Sequence, residues 1–433
     1  MKREIAIFWY RRDLRVTDNV ALHFALQSGL PILPIFIFDE NILQRLDDKL
    51  DRRVDFIHQS LQNVKAGLRK VGSDLLVLHG QPKAVWEKIF TEYQVKAVFS
   101  NHDYEKYGME RDSEIASLAN SHNVSFKSFK DQCIFEKTEI LSGSGTPYTV
   151  FSPYARKWKE TLTKDFLADY QIMPFAANFL KEINFEMPSM QQLGFQNTDM
   201  KFVAPTVDQD IINKYKEQRD FPAIAGTTRL SVHLRFGTVS IRQLVKIAQT
   251  GHESWLNELI WRDFYFNILA NFSQISLGKS FKSQYDNIKW RNNEGEFEKW
   301  CTGYTGFPII DAGMRELNNT GFMHNRVRMI VASFLCKDLL IDWRWGEQYF
   351  AQKLNDFDFS ANNGGWQWAS GSGCDAAPYF RVFNPDSQTL KFDKDLKYIR
   401  KWVPEFNSLD YKPMLDHKMA RDRALKVYKE GLT

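Results

Sequence analysis

Short apolar runs alternate with amphipathic segments along the first 130 residues. The runs are EIAIFWY, ILPIFIFD, DLLVLH and VKAVFSN, at residues 4–10, 32–39, 74–79 and 95–101. Between the second and third runs, residues 51–70 carry apolar positions at the three- and four-residue spacing of a helix. Strands that alternate with helices in this way predict βαβ units and an open, parallel, Rossmann-like sheet. No GxGxxG follows the first strand, so the ordinary fingerprint of an NAD site is missing.

The rhythm of the chain changes twice after this region. Residues 131–204 show no sustained period and contain turn chemistry such as LSGSGTPY at 141–148. From residue 205 onward the pattern is helical, as in SWLNELIWRDFYFNILANF and RVRMIVASFLCKDLLIDW. We therefore predict an α/β N-terminal domain over 1–130, a long interdomain connection over 131–204 and a larger all-α domain over 205–433.

Composition and charge narrow the class of protein. A length of 433 residues with 43% hydrophobic and 25% charged residues is ordinary for a globular protein of two or three domains. The net charge of +4 is unevenly divided, because the first 200 residues sum to −1 and the remainder to +5. A surface that binds a polyanion is therefore expected in the second part of the chain, as a local patch.

The cysteines and the N-terminus bear on location. Cys133, Cys301, Cys336 and Cys374 have spacings that fit neither a zinc site nor a disulfide framework. The opening residues lack the pattern of a signal peptide, and no apolar run approaches the roughly 20 residues of a membrane span. These features predict a reduced, cytoplasmic protein without a metal or a membrane partner.

Two helical segments carry polar groups on faces that are otherwise apolar. In the first, Trp255, Glu258, Trp261, Arg262 and Tyr265 share one face at three- and four-residue steps. From the helix alone, a Glu258–Arg262 surface ion pair with tryptophans packed beside it is the favoured interpretation, and a ligand site is the alternative.

The second helical face has a similar mixture. Asn325, Arg328, Met329 and Ala332 align on it. Because buried polar groups need partners, a polar ligand or an ion pair is expected nearby. The alternative is a helix N-terminus with solvated cations.

The stretch NDFDFSANNGGWQW, residues 355–368, combines acids, amides, adjacent glycines and tryptophans. Asp356 and Asp358 alternate, so they face one side of an extended chain. Asn362 offers both a donor and an acceptor, and glycines allow a close approach to the backbone. A heteroaromatic ligand would use all of these features, and a turn between two helices is an equally good interpretation of the stretch alone.

Taken together, several long motifs resemble the photolyase/cryptochrome family of flavoproteins, and within it the class I cyclobutane pyrimidine dimer photolyases. The motifs are FWYRRDLRVTDN, TTRLS, NELIWRDFY, TGFPIIDAGMRELNNTGFMHNRVRM, DFDFSANNGGWQW and DAAPYFRVFNP. They extend over nearly the whole chain. The resemblance implies FAD in the helical domain and DNA that contains pyrimidine dimers as the partner.

The resemblance also assigns residues. The family's FAD-binding positions match Tyr215, Thr227, Thr228, Arg229, Leu230, Ser231, Trp255, Arg262, Arg328, Asp356, Asp358 and Asn362. Within this set it implies that Arg328 pairs with Asp356 and that Asn362 faces the flavin N5. The family's electron-transfer tryptophans match Trp366, Trp343 and Trp290. Without the resemblance, large rings that fill a large core would be the preferred interpretation of these tryptophans.

The substrate side is assigned in the same way. Glu258 and Asn325 are implied to be catalytic by binding the dimer, and the full set of implied DNA-contact positions is Arg219, Glu258, Trp261, Asn325, Arg326, Met329, Trp368, Arg381 and Gln388. The (6-4) photolyases carry histidines where this chain has Asn325 and Met329, which favours cyclobutane dimers. The expected reaction is light-driven dimer repair by electron transfer from reduced FAD.

Some features depart from the family pattern or stay open. TTRLS continues as VHLRFG instead of the family's common SPYL-type sequence, so the resemblance assigns no role to His233. The folate-binding Asn-Glu pair of some class I members would fall at Tyr107 and Gly108, which weakens folate as an antenna chromophore and leaves a flavin, a deazaflavin or none. A blue-light cryptochrome is the main functional alternative, and an ordinary flavin or nucleotide-dependent oxidoreductase is a third. The family expectation for assembly is a monomer.

Overall fold

A computed structural model describes residues 3–181, 183–198 and 200–433 of the chain. It contains two compact units that interleave along the sequence. The first comprises Met1–Glu136, Leu162–Thr206 and Arg229–Ile247, and the second comprises Lys137–Thr161, Val207–Thr228 and Ala248–Thr433. The boundaries at residues 130 and 204 stay a prediction about domains, whereas the chain in this structure returns to its first unit twice, at Leu162 and at Arg229.

The first unit is built on a five-stranded parallel sheet. Its strands are β1 (Glu4–Tyr10), β2 (Ile32–Asp39), β3 (Leu76–Gly80), β4 (Gln94–Asn101) and β5 (Ser125–Phe129), in the order β3-β2-β1-β4-β5. The predicted open, parallel α/β sheet is confirmed. The strand β5 escaped prediction because its sequence SFKSF is largely polar and lies at the sheet edge, where an apolar run is not required.

The helices of both units, in chain order, are α1 (Val20–Leu26), α2 (Glu40–Leu43), α3 (Arg52–Lys70), α4 (Pro82–Glu92), α5 (Lys106–Ser121), α6 (Phe151–Thr161), α7 (Gln209–Asn213), α8 (Tyr215–Gln218), α9 (Ser231–Phe236), α10 (Ile241–Gln249), α11 (Glu253–Asn271), α12 (Glu294–Thr302), α13 (Pro308–Thr320), α14 (Asn325–Ser333), α15 (Trp343–Lys353), α16 (Phe359–Ser370), α17 (Pro385–Phe392), α18 (Lys397–Trp402) and α19 (His417–Leu432). A π-helical segment, Phe334–Asp338, follows α14, and four short 3-10 turns lie at Lys164–Leu167, Met173–Asn178, Ser273–Leu277 and Ser283–Asn287. No helix within the described part of the chain is long and apolar enough to span a membrane.

Burial on both faces explains why the central strands read as continuous apolar runs. Phe8 of β1 belongs to the core on one side of the sheet, and its neighbour Ile7 belongs to the core on the other. Helices cover both faces of a parallel sheet, so strands need apolar residues at every position.

The second unit is helical and has its own core. Met314, Leu335 and Trp366 are buried at its centre, contributed by α13, the π segment and α16. The predicted all-α fold of the larger domain is confirmed. This unit contains nearly all of the residues implied to bind FAD or DNA.

Candidate cofactor and DNA site

Helix α11 presents the predicted polar face, but its glutamate has another partner. Arg219 donates a hydrogen bond from Nη1 to Oε1 of Glu258. The ordinary interpretation, in which Glu258 pairs with Arg262 of the same helix, does not describe this contact. Arg219 also lies 5.4 Å over the Tyr215 ring, so one cation joins α8 to α11.

Burial dominates the electrostatics of this corner. It raises the pKa of the Glu258 carboxyl, and the neighbouring Arg219 lowers it by a smaller amount. Burial likewise raises the pKa of the Tyr215 phenol, with the Glu258 charge as the second cause. The side chain of Glu258 is still 31% exposed, so it can reach a polar ligand that replaces water.

Helix α14 separates its polar groups by direction. Asn325, its first residue, is exposed, while Arg328 donates to both carboxylate oxygens of Asp356 at 2.9 and 3.1 Å and to the Met323 backbone oxygen at 2.8 Å. The predicted Arg328–Asp356 ion pair is confirmed. Met329 is half-buried on the same helix.

Arg326 of the same helix points to a different acid. Its Nη2 donates to Asp220 at 2.8 Å, and its guanidinium lies 4.4 Å over the Phe392 ring. Asp220 follows Arg219 directly in the chain and lies 4.0 Å from its Nε. Two of the implied DNA-contact arginines, Arg219 and Arg326, therefore lie beside the same carboxylate in this structure.

The stretch 355–368 is a helix entry followed by α16, and not only a turn between helices. Asp358 caps α16 by accepting the Ser360 backbone N–H at 3.1 Å, which is why the helix begins there. On the body of the helix, Asn362 Nδ2 donates to the backbone oxygen and to Oε1 of Glu347, at 3.0 and 3.1 Å.

The adjacent glycines of α16 meet different surroundings. A Cβ on Gly364 would lie 2.9 Å from Cζ of Tyr265 and closer still to other ring atoms, so only hydrogen fits against this ring. A Cβ on Gly365 would meet no atom within 4 Å. One glycine therefore permits close packing of α11 on α16, and the other faces open space.

A cleft lies between α11 and α16. Its lining includes Trp261 and Tyr265 from α11 and Gly364 and Trp368 from α16. One face of the Trp261 ring is already occupied, because Phe151 stacks on it with ring centroids 3.7 Å apart and planes 4° apart. The two tryptophans implied to contact a pyrimidine dimer thus open onto the same space.

The three tryptophans implied to carry electrons differ in burial. Trp366 and Trp343 are 2% and 1% exposed, whereas Trp290 is half-buried. Trp366 contacts the Trp300 ring with centroids 6.0 Å apart, and Trp290 meets the Tyr428 ring edge-on at 5.8 Å.

The remaining implied residues are spread more widely. Trp255 is buried on α11, and the Arg262 guanidinium lies 4.7 Å over the Phe266 ring. Arg381 is exposed in the loop before α17, and Gln388 is half-buried on α17.

The TTRLS loop runs from the second unit into the first. Thr227 and Thr228 belong to the second unit, and Arg229, Leu230 and Ser231 belong to the first. Arg229 has a left-handed φ of 53°, and Ser231 begins α9. The loop is thus a sharp turn that leads directly into a helix.

His233, which had no family role, is explained by packing in the first unit. Its ring nitrogens lie 2.6 Å from Thr238 Oγ1 and 2.6 Å from the Val203 oxygen, and burial lowers its pKa. Both ring nitrogens are therefore engaged within the fold.

Three functional neighbours were not predicted from the sequence. They are the pairing of Arg219 with Glu258, the contact of Glu347 with Asn362 and the stacking of Phe151 on Trp261. Each joins residues far apart in the chain. Helical periodicity indicates which face is buried and carries no information about such partners.

Comparisons with known proteins bear on identity. A family model described as DNA photolyase matches residues 6–172, and one described as the FAD binding domain of DNA photolyase matches residues 255–428. The deoxyribodipyrimidine photo-lyase of Synechococcus sp. is 38% identical over 440 residues, covering 94% of this chain and 90% of the relative. The chain belongs to the DNA photolyase family. FAD is accordingly the cofactor of its helical domain.

Solved photolyase structures resemble the fold over its full length. A bacterial class III photolyase from Agrobacterium tumefaciens matches with a TM-score of 0.88 and 30% identity, over 100% of this chain and 98% of the other. An archaeal photolyase from Sulfolobus tokodaii with two FAD molecules matches at 0.82 and 31%, over 99% and 100%. A cryptochrome from Synechocystis sp. matches at 0.85 and 25%, over 99% of both chains. The fold is common to all three, so the class I assignment stays a prediction.

The residues present fit the FAD of a photolyase. Asn362 has an amide oxygen that accepts no hydrogen bond from any described residue, and Gly365 on the same helix face adjoins open space. The Arg328–Asp356 pair places a fixed cation and anion beside this helix. An open face with donors, acceptors and little side-chain bulk suits a planar heteroaromatic ring.

Proposed function

We propose that this chain is a deoxyribodipyrimidine photolyase, a carbon–carbon lyase that repairs cyclobutane pyrimidine dimers in DNA under light. The observation that carries this proposal is the cleft in which Trp261 and Trp368 line one space. Two large rings from different helices suit the faces of two covalently linked pyrimidines that have left the duplex, because bases pack on aromatic rings.

Bound FAD, once reduced, supplies the electron that light drives into the dimer. Glu258 lies one turn from Trp261 on α11, and its partly exposed carboxyl binds the polar edge of a flipped base. Asn325 is exposed at the start of α14 and offers a donor and an acceptor to the same lesion. Met329, one turn further along α14, provides a soft apolar contact.

The remaining FAD contacts are assigned to α8, to the TTRLS loop and the start of α9, to residues 356–362 and to α11. Tyr215 and Thr227 to Ser231 hold the pyrophosphate, for which hydroxyls and loop N–H groups are suited. Asp356 and Asp358 would contact the flavin ring and the ribose, and Asn362 would contact the ring. Trp255 and Arg262 complete the cofactor set.

Electron supply to the cofactor runs through Trp366, Trp343 and Trp290. Two of these rings are buried and one is half-buried. A path from a buried ring to a solvent-accessible ring lets an external reductant restore the cofactor without opening the site.

DNA binding uses arginines whose planar fork suits phosphate. Arg381 is exposed and ready for this contact, whereas Arg219 and Arg326 must exchange Glu258 and Asp220 for phosphate oxygens. Gln388 adds a neutral contact. Binding should therefore weaken with salt, since phosphate contacts release counterions.

The decisive experiment is a repair assay. Purified protein with FAD and a reductant is mixed with a dimer-containing oligothymidylate, and the return of ultraviolet thymine absorbance is followed in blue light and in the dark. Recovery that depends on light supports the proposal. A protein that binds and photoreduces FAD but restores no thymine in light would overturn it.

A blue-light cryptochrome is the second candidate, favoured by the structural likeness to the Synechocystis cryptochrome. It predicts photoreduction of FAD without dimer repair. The same assay therefore separates the two functions.

A flavin is the favoured second chromophore, because the similar Sulfolobus photolyase is described with two FAD molecules. Folate fits less well at the matching positions. Tyr107 is already held by Asp39 and Asn41 at 2.7 and 3.1 Å, and a side chain at Gly108 would lie 2.6 Å from Asp103 Oδ2.

Monomeric assembly and a cytoplasmic location complete the proposal. Size-exclusion chromatography with light scattering tests the first of these, and fractionation of cells tests the second.

A further inference from the structure

Glu347 of α15 makes the two hydrogen bonds that hold Asn362. Its backbone oxygen accepts the Asn362 Nδ2 hydrogen bond at 3.0 Å, and its Oε1 accepts at 3.1 Å. Burial raises the pKa of the Glu347 carboxyl, and the bond from Asn362 lowers it by less. The partly buried Glu347 carboxyl therefore has the Asn362 amide as its hydrogen-bond partner.

These two bonds determine which way the amide of Asn362 points. A backbone carbonyl oxygen only accepts, so the amide nitrogen must face Glu347. The amide oxygen is then directed away from α15, and no described residue donates to it. Gly365, three residues further along the same helix face, adjoins open space.

Close packing of the two helices keeps Glu347 within reach of Asn362. A Cβ on Gly346 would overlap the Trp366 ring and would lie 2.6 Å from Leu335 Cδ2. The missing side chain therefore lets α15 approach α16, and Glu347 is the next residue along α15.

We propose that Glu347 is a positioning residue, which holds the Asn362 amide so that its oxygen, and not its nitrogen, faces the flavin. This inference rests on the proposed function, which places the flavin ring beside Asn362. A reduced flavin carries a hydrogen on N5 and so donates, and an acceptor facing it stabilises the protonated ring. A donor in that place would oppose it.

Two variants separate orientation from charge. Glu347→Gln keeps an oxygen that accepts from Asn362 Nδ2 but removes the charge, whereas Glu347→Met keeps the length and removes the acceptor. The readout is a pH titration of the visible spectrum of FAD after one-electron reduction in the full chain, which reports whether N5 carries its proton. Circular dichroism and FAD content serve as controls for folding.

We expect Glu347→Gln to titrate like the wild-type protein. In Glu347→Met, with one of two holding bonds lost, we expect the ratio of protonated to deprotonated flavin at a given pH to fall by about three- to tenfold. An unchanged titration in Glu347→Met would overturn the proposal. So would a Gln variant that behaves like the Met variant, because the charge would then be the cause. If the Met variant does not retain FAD, the Gln variant is compared with the wild-type protein, and a lower ratio of protonated to deprotonated flavin in Glu347→Gln overturns the proposal, because that variant keeps the acceptor.

The titration contains no DNA, so its result is independent of repair. A wild-type protein that titrates as expected but repairs no dimers overturns the proposed function and leaves the role of Glu347 standing. Light-dependent repair together with an unchanged titration in Glu347→Met supports the proposed function and overturns the role of Glu347.

Discussion

The two glycines of α16 offer a matched test of how the site is built. Alanine is favoured over glycine within a helix by about 1 kcal/mol, and this gain applies equally to Gly364→Ala and Gly365→Ala. Only the first variant places a Cβ against the Tyr265 ring, at 2.9 Å from Cζ and less from its neighbours. The difference in stability between the variants therefore isolates the collision, and overpacking of this kind costs about 1–3 kcal/mol.

We expect the free energy of unfolding of Gly364→Ala to lie about 1–3 kcal/mol below that of Gly365→Ala, measured by urea denaturation of the FAD-free protein. The Tyr265 ring lines the cleft with Trp261, so its displacement should also weaken binding of a dimer-containing oligonucleotide. Gly365→Ala should instead weaken FAD binding, measured by fluorescence titration, because its Cβ enters the open side of α16.

Equal unfolding free energies in the two variants would show that Tyr265 yields without cost, and the argument for a required glycine at 364 would be wrong. Unchanged FAD affinity in Gly365→Ala would mean that the cofactor does not lie over this face. Both variants carry the same Gly→Ala change in one sequence context, so the effect on the unfolded state is nearly equal in the two and cancels in their difference.

Three further predictions concern Glu258, Trp290 and the buried Lys337 of the π-helical segment. Glu258→Ala should retain FAD and lower the rate of dimer repair by about tenfold to a hundredfold, the effect of losing a hydrogen bond to a charged group, and loss of FAD instead would assign Glu258 to the fold. Trp290→Phe should slow photoreduction of FAD while repair by pre-reduced protein is retained, and photoreduction at the wild-type rate would remove Trp290 from the electron path. Lys337 is fully buried, and burial lowers its pKa from 10.5 to about 7. Between pH 7 and pH 10.5 this lysine is therefore protonated in the unfolded chain and largely neutral in the folded protein. Because the unfolded chain binds more protons, the free energy of unfolding rises with pH over this range. Lys337→Met should remove this slope, so that its stability relative to the wild-type protein is greatest below pH 7 and declines towards pH 10.5; parallel pH profiles of the two proteins in urea denaturation would refute the assignment.

Several elements of the fold were predicted from local pattern. The predicted strands at 4–10 and 32–39 coincide with β1 and β2, and the predicted helix at 51–70 begins one residue early relative to α3. These elements are long and buried, and an element that buries one or both faces needs apolar residues at regular positions, which local pattern detects. The polar edge strand β5 carries no such period, and for that reason it was missed.

The candidate site divides along the same line. Motifs in the sequence implied many of the candidate FAD and DNA residues on α11, α14 and α16, and predicted the ion pair of Arg328 with Asp356, because long motifs preserve both residue type and spacing. The sequence could not supply the partner of Glu258, which comes from Arg219 in α8, 39 residues away.

The sequence by itself thus determined the fold class and the family, and it predicted the helices that carry the candidate site. Only the tertiary structure decided which distant residues meet. Arg219 and Glu347 form hydrogen bonds with Glu258 and Asn362, and the Tyr265 ring packs against Gly364. The physical reason is that hydrophobic periodicity is a local record of which face is buried. A hydrogen bond or a close approach between helices depends on where two distant segments are brought together by packing, and no single segment records that.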